Sequence, residues 1–213
     1  PDIVLTTLSA KYAHASFGLR YLLANLGDLR DRAELLEFDI SQRTVDILES
    51  LLERNPRILG LGVYIWNIAE STRLIGELKR IRPDIVVVLG GPEVSYEAES
   101  QEIVRLADYV VTGEADLAFP QLCAALLDVT PELLPAAAPA FLTNKIIPGE
   151  LPQFSALRLP YELYTDQDIA HRVIYVEASR GCPFECEFCL SALDIPVRQA
   201  PLQEFLQAME GLL

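Results

Sequence analysis

Apolar runs that alternate with amphipathic stretches through residues 1–128 predict an open, doubly wound α/β domain on a five-stranded parallel sheet. Two further observations support it. The run Ile85-Val86-Val87-Val88-Leu89 is apolar at every position, as a strand covered by helices on both faces must be, and glycines follow the fourth and fifth strands where turns are expected.

The elements follow in order. Ile3 to Leu8 is the first strand, and Leu19, Leu22, Leu23 and Leu26 repeat at helical spacing after it. Leu35 to Phe38 is the second strand, followed by a helix carrying Ile47, Leu48, Leu51 and Leu52. The third strand, Ile58 to Ile65, leads into a helix with Leu74, Leu78 and Ile81 that Pro83 stops. After Ile85 to Leu89 come a short helix around Ile103 and Leu106, the fifth strand at Tyr109 to Thr112, and a helix near Phe119 to Leu127. Cys123 shares the apolar spacing of that last helix and reads as a small core residue.

Composition then changes. Six of the fourteen prolines lie between Pro131 and Pro160, which marks residues 129–170 as a linker, with a possible hairpin at Phe141 to Ile147 centred on Asn144-Lys145. Residues 171–213 form a third unit: Val173 to Ala178 reads as a strand, a cysteine-rich loop follows, and Pro201 opens a helix with Phe205, Leu206, Met209, Leu212 and Leu213 on one face. His171 is expected on a surface linker.

Charge and composition bound the function. Seventeen basic against 31 acidic side chains give a net charge of -14, which repels a phosphate backbone and argues against nucleic acid as a partner. No apolar run approaches the ~20 residues that cross a bilayer, and three of the four cysteines share one loop, so a soluble protein of the reducing cytoplasm is expected.

That loop is Gly181-Cys182-Pro183-Phe184-Glu185-Cys186-Glu187-Phe188-Cys189, too compact for a disulfide framework and suited to one metal centre. Three thiolates can hold three irons of a four-iron cluster and leave the fourth open. A structural zinc needs a fourth ligand, for which the chain offers His14 or His171, and three unrelated thiols are the remaining reading.

The spacing Cys182-x-x-x-Cys186-x-x-Cys189, with Phe188 before the third cysteine and Arg180-Gly181-Cys182-Pro183 opening the loop, resembles the cluster loop of the radical S-adenosylmethionine (SAM) enzymes. The strand-end loops of the first domain resemble the cobalamin-binding domain that precedes the barrel in many of them, including Gly90-Gly91 after the fourth strand and Gly113-Glu114 after the fifth. The resemblance implies a flavodoxin-like, cobalamin-binding domain over 1–128 and the first βα unit of a truncated radical SAM barrel over 171–213. The chain stops 24 residues after Cys189, whereas such a barrel needs on the order of 200 residues. The chain is therefore expected to be a fragment, inactive by itself.

Under that resemblance Cys182, Cys186 and Cys189 would ligate a 4Fe-4S cluster whose open iron binds SAM, and Phe188 would pack beside the adenosine. A radical made from SAM would abstract a substrate hydrogen, and cobalamin would deliver a methyl group. The candidate cobalamin contacts are Ser9, Tyr12, Ala13 and His14 after the first strand; Tyr64, Ile65, Trp66 and Asn67 after the third; Gly90, Gly91, Pro92 and Glu93 after the fourth; and Gly113 and Glu114 after the fifth. Ligands of open parallel sheets bind at those ends.

Where the family reads Asp-x-His-x-x-Gly, this chain has Tyr12-Ala13-His14-Ala15-Ser16-Phe17-Gly18, and Gly62-Val63-Tyr64 replaces its Ser-x-Leu. The expectation is cobalamin with its own base displaced and no histidine on cobalt. The resemblance further implies a small-molecule or peptide substrate and an electron donor such as flavodoxin or ferredoxin. Two rivals stay open: an RNA-modifying methylthiotransferase, which would need further cluster cysteines in the first domain, and a non-catalytic cobalamin- or nucleotide-binding module.

Overall fold

The computed structural model describes residues 1–127, 142–184, 186–189 and 196–212. Its centre is a parallel sheet of β1 (Ile3–Ser9), β2 (Ala33–Asp39), β3 (Ile58–Gly62), β4 (Val86–Gly90), β5 (Tyr109–Thr112) and β6 (Ile146–Pro148), in the order β2-β1-β3-β4-β5-β6. Every neighbouring pair is parallel. The chain winds outward from β1 to β2, then reverses across β1 to β3, which sets a switch point at the carboxyl ends of β1 and β3.

Helices cover both faces because residues alternate along each strand. Val4, Leu8, Leu59, Leu61, Val87 and Leu89 pack with α2 (Thr44–Arg54), α3 (Ile68–Ile81) and α5 (Glu102–Leu106), through Ile47, Leu51, Leu74, Leu78 and Ile103. The opposite set, Ile3, Leu5, Ile58, Val88 and Val111, meets α1 (Phe17–Ala24) and α6 (Ala118–Leu126) through Leu19, Phe119 and Leu122. Leu74 is fully buried, and burying one such side chain stabilises the fold by about 1.5–3 kcal/mol. A one-turn helix, α4 (Pro92–Ser95), follows β4.

The sheet has six strands, not the expected five. Ile146 and Ile147 do not begin a hairpin: they pair in parallel with Val110 and Val111, and Gly149 N donates to Thr112 O at 2.8 Å. Phe141, where that hairpin was expected to start, lies outside the described residues.

A second correction concerns Val173 to Ala178. Val173 makes a single bridge with His14, and the strand proper, β7 (Ser179–Arg180), begins later and pairs antiparallel with β8 (Arg198–Gln199). Between these points tyrosines, not a neighbouring strand, take the backbone groups of Tyr175 and Glu177. Tyr161 Oη donates to Glu177 O at 3.2 Å and accepts from Glu177 N at 3.0 Å, and Tyr164 Oη donates to Tyr175 O at 3.2 Å.

Two helices complete the chain. α7 (Asp166–His171) starts at a capping box, with Thr165 Oγ1 accepting from Asp168 N at 3.1 Å and the Asp168 side chain returning to Thr165 N at 3.0 Å. Exposed His171 closes it, so the residue expected on a linker sits in a helix's last turn. In α8 (Leu202–Leu212), Phe205, Ala208, Met209 and Leu212 pack against Tyr161 and Tyr164. Pro201 lies just before α8, its carbonyl accepting from Phe205 N at 3.0 Å. Among the described residues no helix is long and apolar enough to cross a membrane.

Candidate functional site

Two adjoining cavities open at the carboxyl ends of the strands, sharing Phe17, Gly18 and Tyr64. The inner one, about 260 Å³, is a slot between the sheet and the α1/α6 layer. Strand alternation explains it. Gly60, Gly62 and Gly90 all fall on the face that looks toward α1 and α6, so side chains are missing where the two neighbouring strands β3 and β4 end. The Phe119 ring fills the notch at Gly60, where an added Cβ would come within 2.9 Å of it. Gly90 is roomier, the nearest atom to an added Cβ being Val111 O at 3.7 Å.

Backbone geometry fixes the slot's mouth. Gly91 has φ +110°, and a Cβ there would lie 2.4 Å from Val63 O, so the turn after β4 accepts no side chain. Ser95 Oγ joins this turn to the next, donating to Gly91 O at 2.8 Å and accepting from Gly113 N at 3.0 Å. Asn67 ties the other strand ends together from behind. Its Oδ1 accepts from Tyr64 N at 2.8 Å, and its Nδ2 donates to Leu8 O at 3.0 Å and Gly62 O at 3.2 Å.

One buried polar atom on the slot wall lacks a hydrogen bond of good geometry: the hydroxyl of Tyr21. Burial raises its pKa, with the nearby Glu177 carboxylate adding to the effect. Tyr64, on the opposite side, is likewise raised by burial, and its ring stacks on Trp66 with centroids 4.6 Å apart.

The outer cavity, about 510 Å³, is bounded by Ser9, His14, Ser16, Trp66 and Tyr175. His14 Nδ1 lies 2.6 Å from Tyr175 Oη, so a phenol occupies one nitrogen of the imidazole where the sequence offered no orienting carboxylate. The loop carrying His14 is pinned by a buried four-membered ion cluster. Arg172 donates to Tyr12 O at 2.9 Å and His14 O at 2.7 Å, and its guanidinium also meets Glu37 at 2.8 Å and Asp168 at 3.0 Å. Arg20 closes the ring, 2.9 Å from Glu37 and 3.1 Å from Asp168. Burial alone would raise the Glu37 pKa, but hydrogen bonds from Arg172 and Arg20 outweigh it and hold the carboxylate below its ordinary value.

A second ion cluster stands at the slot's rim. Arg180 reaches Glu114 at 3.0 Å, Asp116 at 2.8 Å and Glu177 at 2.7 Å, while Arg198 pairs with Glu114 and donates to Pro152 O at 2.7 Å.

Of the residues singled out in the sequence, Gly90, Gly91, Gly113, Glu114 and Tyr64 line the slot, and Ser9, His14, Trp66 and Tyr64 the outer cavity. Tyr12, Ala13, Ile65, Asn67, Pro92 and Glu93 line neither. Tyr12 instead lies under the Arg172 guanidinium, 4.9 Å from its ring centre, and Glu93 sits in the first turn of α4 with its carbonyl accepting from Gln101.

Cys182 and Cys189 are half-buried, Cys186 is exposed, and all three are free. Phe188 is 93% exposed. Among the described residues no three His, Cys, Asp or Glu side chains converge closely enough to hold a metal ion. A thiolate loop is gathered by its ligand bonds, since metal binding and local folding are one event. The donor set itself, three free thiols on one accessible loop, fits an iron-sulfur cluster with an open corner.

Sequence reading missed Tyr21, Ser95, Asp116, Glu177 and Tyr175. Tyr21 carried a signal, falling one turn after Phe17 on α1, and the two rings meet edge-on at 5.0 Å. The other four are placed by contacts distant in sequence.

Comparison with known proteins agrees with this geometry. The family model for the B12 binding domain matches residues 3–123. Two curated relatives are similar: uncharacterized methyltransferase PH0819 of Pyrococcus horikoshii, 28% identical over 165 residues, and the cobalamin-dependent radical SAM methyltransferase TokK of Streptomyces tokunonensis, 26% identical over 149 residues. The alignments take in 72% and 63% of this chain but only 35% and 22% of those proteins. The fold matches that of the cobalamin-dependent S-adenosylmethionine radical enzyme OxsB with aqua-cobalamin bound, at TM-score 0.70 and 15% identity over 99% of this chain and 31% of that one. Since the matched span, residues 3–123, exceeds half of the chain and contains the strand ends that build the slot, the chain belongs to the B12-binding domain family.

Proposed function

We propose that the chain is the cofactor-binding part of a cobalamin-dependent radical SAM methyltransferase, with the corrin ring over the outer cavity and the displaced base of cobalamin in the slot. The observation that carries this reading is the glycine-floored slot itself. It is largely apolar, with one buried hydroxyl on its wall, Tyr21 Oη, that makes no hydrogen bond of good geometry, which suits a heteroaromatic base. His14 is held by Tyr175, so the reading has the imidazole line the pocket and leave the cobalt free of a protein ligand.

Cys182, Cys186 and Cys189 would hold the 4Fe-4S cluster, and Phe188 would cover the adenosine of SAM. Bound together, these groups supply one-electron cleavage of SAM and a transferable methyl group. The chain's own residues bind and orient: the Arg172 cluster fixes the loop of His14, and Tyr64 and Trp66 wall the corrin side. A small-molecule or peptide substrate and a flavodoxin- or ferredoxin-type electron donor belong to the same proposal, with cytoplasmic conditions keeping the thiols reduced.

The methylthiotransferase reading is disfavoured by Cys123. That thiol is fully buried against Phe119 and Leu122, and burial pushes its pKa up, so it offers no ligand for a further cluster.

Gel filtration with hydroxocobalamin tests the reading. The chain should carry corrinoid absorbance in its own peak, and Gly90→Leu, which fills the slot, should weaken retention by about 10-fold or more. Anaerobic reconstitution should load about four irons per chain, lost when the three loop cysteines become serine. Equal retention by wild type and Gly90→Leu would remove the slot from the proposal.

A further inference from the structure

The geometry points to Arg180 as a positioning residue that links occupation of the slot to the order of the cysteine loop. Its guanidinium gathers carboxylates from two separate parts of the chain: Glu114 and Asp116, which follow β5, and Glu177 from its own segment. It also lies over the Tyr21 ring at 4.3 Å. Tyr21, Glu114, Asp116, Glu177 and Arg180 are all part of the slot's lining, so a group entering the slot touches the partners that hold Arg180 in place.

The other end of the connection is short. Arg180 is the last residue of β7, Gly181 turns the chain at φ +94°, and Cys182 follows. The paired strand β8 brings Arg198 to the same Glu114, so both strands at the base of the loop are anchored to one carboxylate on the slot wall. Arginine suits this place, since its rigid planar fork presents five fixed donors to the three carboxylates while lying over the Tyr21 ring, a geometry that a compact ammonium does not reproduce. Fixing the slot wall therefore fixes the base of the loop that carries Cys182, Cys186 and Cys189, and the linkage is reciprocal.

This inference rests on the corrinoid reading of the slot. Hydrogen-deuterium exchange of the intact chain, with and without hydroxocobalamin, separates the two. In the wild type, exchange across residues 179–189 should slow by about 5-fold or more on loading, the lower range of measured couplings. Arg180→Lys, compared at a hydroxocobalamin concentration that saturates it by its corrinoid absorbance, whatever its affinity, should show no loading-dependent slowing. A residue that merely stabilises the loop would shift exchange equally in both states and leave that difference intact. Because the variant retains all three thiols, protection caused by direct thiol contact with cobalt would persist in it and overturn the inference. So would a wild type that binds hydroxocobalamin with its loop unaffected, a result that spares the corrinoid reading. A wild type that fails to retain hydroxocobalamin overturns both. If circular dichroism shows Arg180→Lys unfolded, Glu177→Gln decides by the same comparison: coupling reduced in support, coupling unchanged against.

Discussion

Residues 3–126 and residues 142–212 hold their shape by different means. In the first stretch β1 and β3 are buried along their whole length and β4 and β5 at their centres, only the edge strand β2 being half-exposed, and Leu59, Leu74, Val110 and Leu122 are fully enclosed between sheet and helices. In the second, α8 has no fully buried residue, β7 and β8 are two residues each, and the segment is fastened through Arg172, Arg180 and Arg198 to Glu37, Asp116 and Glu114 of the first. The sheet thus makes its own geometry, while the cysteine loop depends for its position on charged contacts with the sheet domain. A rigid receptor and a dependent loop are what the proposed function would require, one cofactor held firmly and another gathered by the loop.

The contrast breaks most readily at Gly91. Valine there would meet Val63 O and adopt a φ that side chains avoid, so Gly91→Val should cost about 3 kcal/mol or more. A urea midpoint within experimental error of the wild type would show that the turn after β4 is not rigid. Cys123→Ser comes next: it places a hydroxyl among Phe119, Leu122 and other apolar neighbours, at a cost of about 1–3 kcal/mol read by thermal unfolding.

Acid probes the fastening instead of the core. Glu37 is held below its ordinary value of 4.5 and Asp168 below 3.8, in each case because hydrogen bonds and arginine charge outweigh the upward push of burial. Their contribution is present above those ordinary values and is lost as pH falls through the lower folded values. Thermal midpoints recorded from pH 6 down to pH 3 should therefore drop below about pH 4.5. Glu37→Gln should be less stable at neutral pH and lose less on acidification. An equal acid slope in the variant would place the sensitive groups elsewhere.

How much of this was legible in the sequence follows the same division. The five longer strands and their helices are written in apolar period, because burial on both faces leaves runs such as Ile85 to Leu89. β6 was misread because three residues ending in Pro148 carry no periodicity, and their parallel partner is chosen by position next to β5. Val173 to Ala178 has a strand's composition, yet Tyr161 and Tyr164 take its backbone partners. At the site, Gly90-Gly91 and Gly113-Glu114 were readable as strand-end turns. The role of Arg180 was not, although it stands inside a recognisable motif, since its partners at 114 and 116 lie more than 60 residues away.

The smallest expected effect sharpens the comparison furthest. Replacing Cys182, Cys186 and Cys189 together by serine should change the stability of the metal-free chain by no more than about 0.5 kcal/mol, because one thiol is exposed and two are half-buried. The single Cys123→Ser change, a quarter of the chain's cysteines, should cost more than those three combined. Under the proposed function, iron should reverse the order. Ligand bonds that gather the loop add their binding free energy to folding, so anaerobic reconstitution should raise the thermal midpoint of the wild type and leave the triple variant unmoved, with a chelator undoing the gain. A triple variant already destabilised without metal would mean that the loop has structure of its own, and the division between a self-supporting sheet and a dependent loop would have to be redrawn.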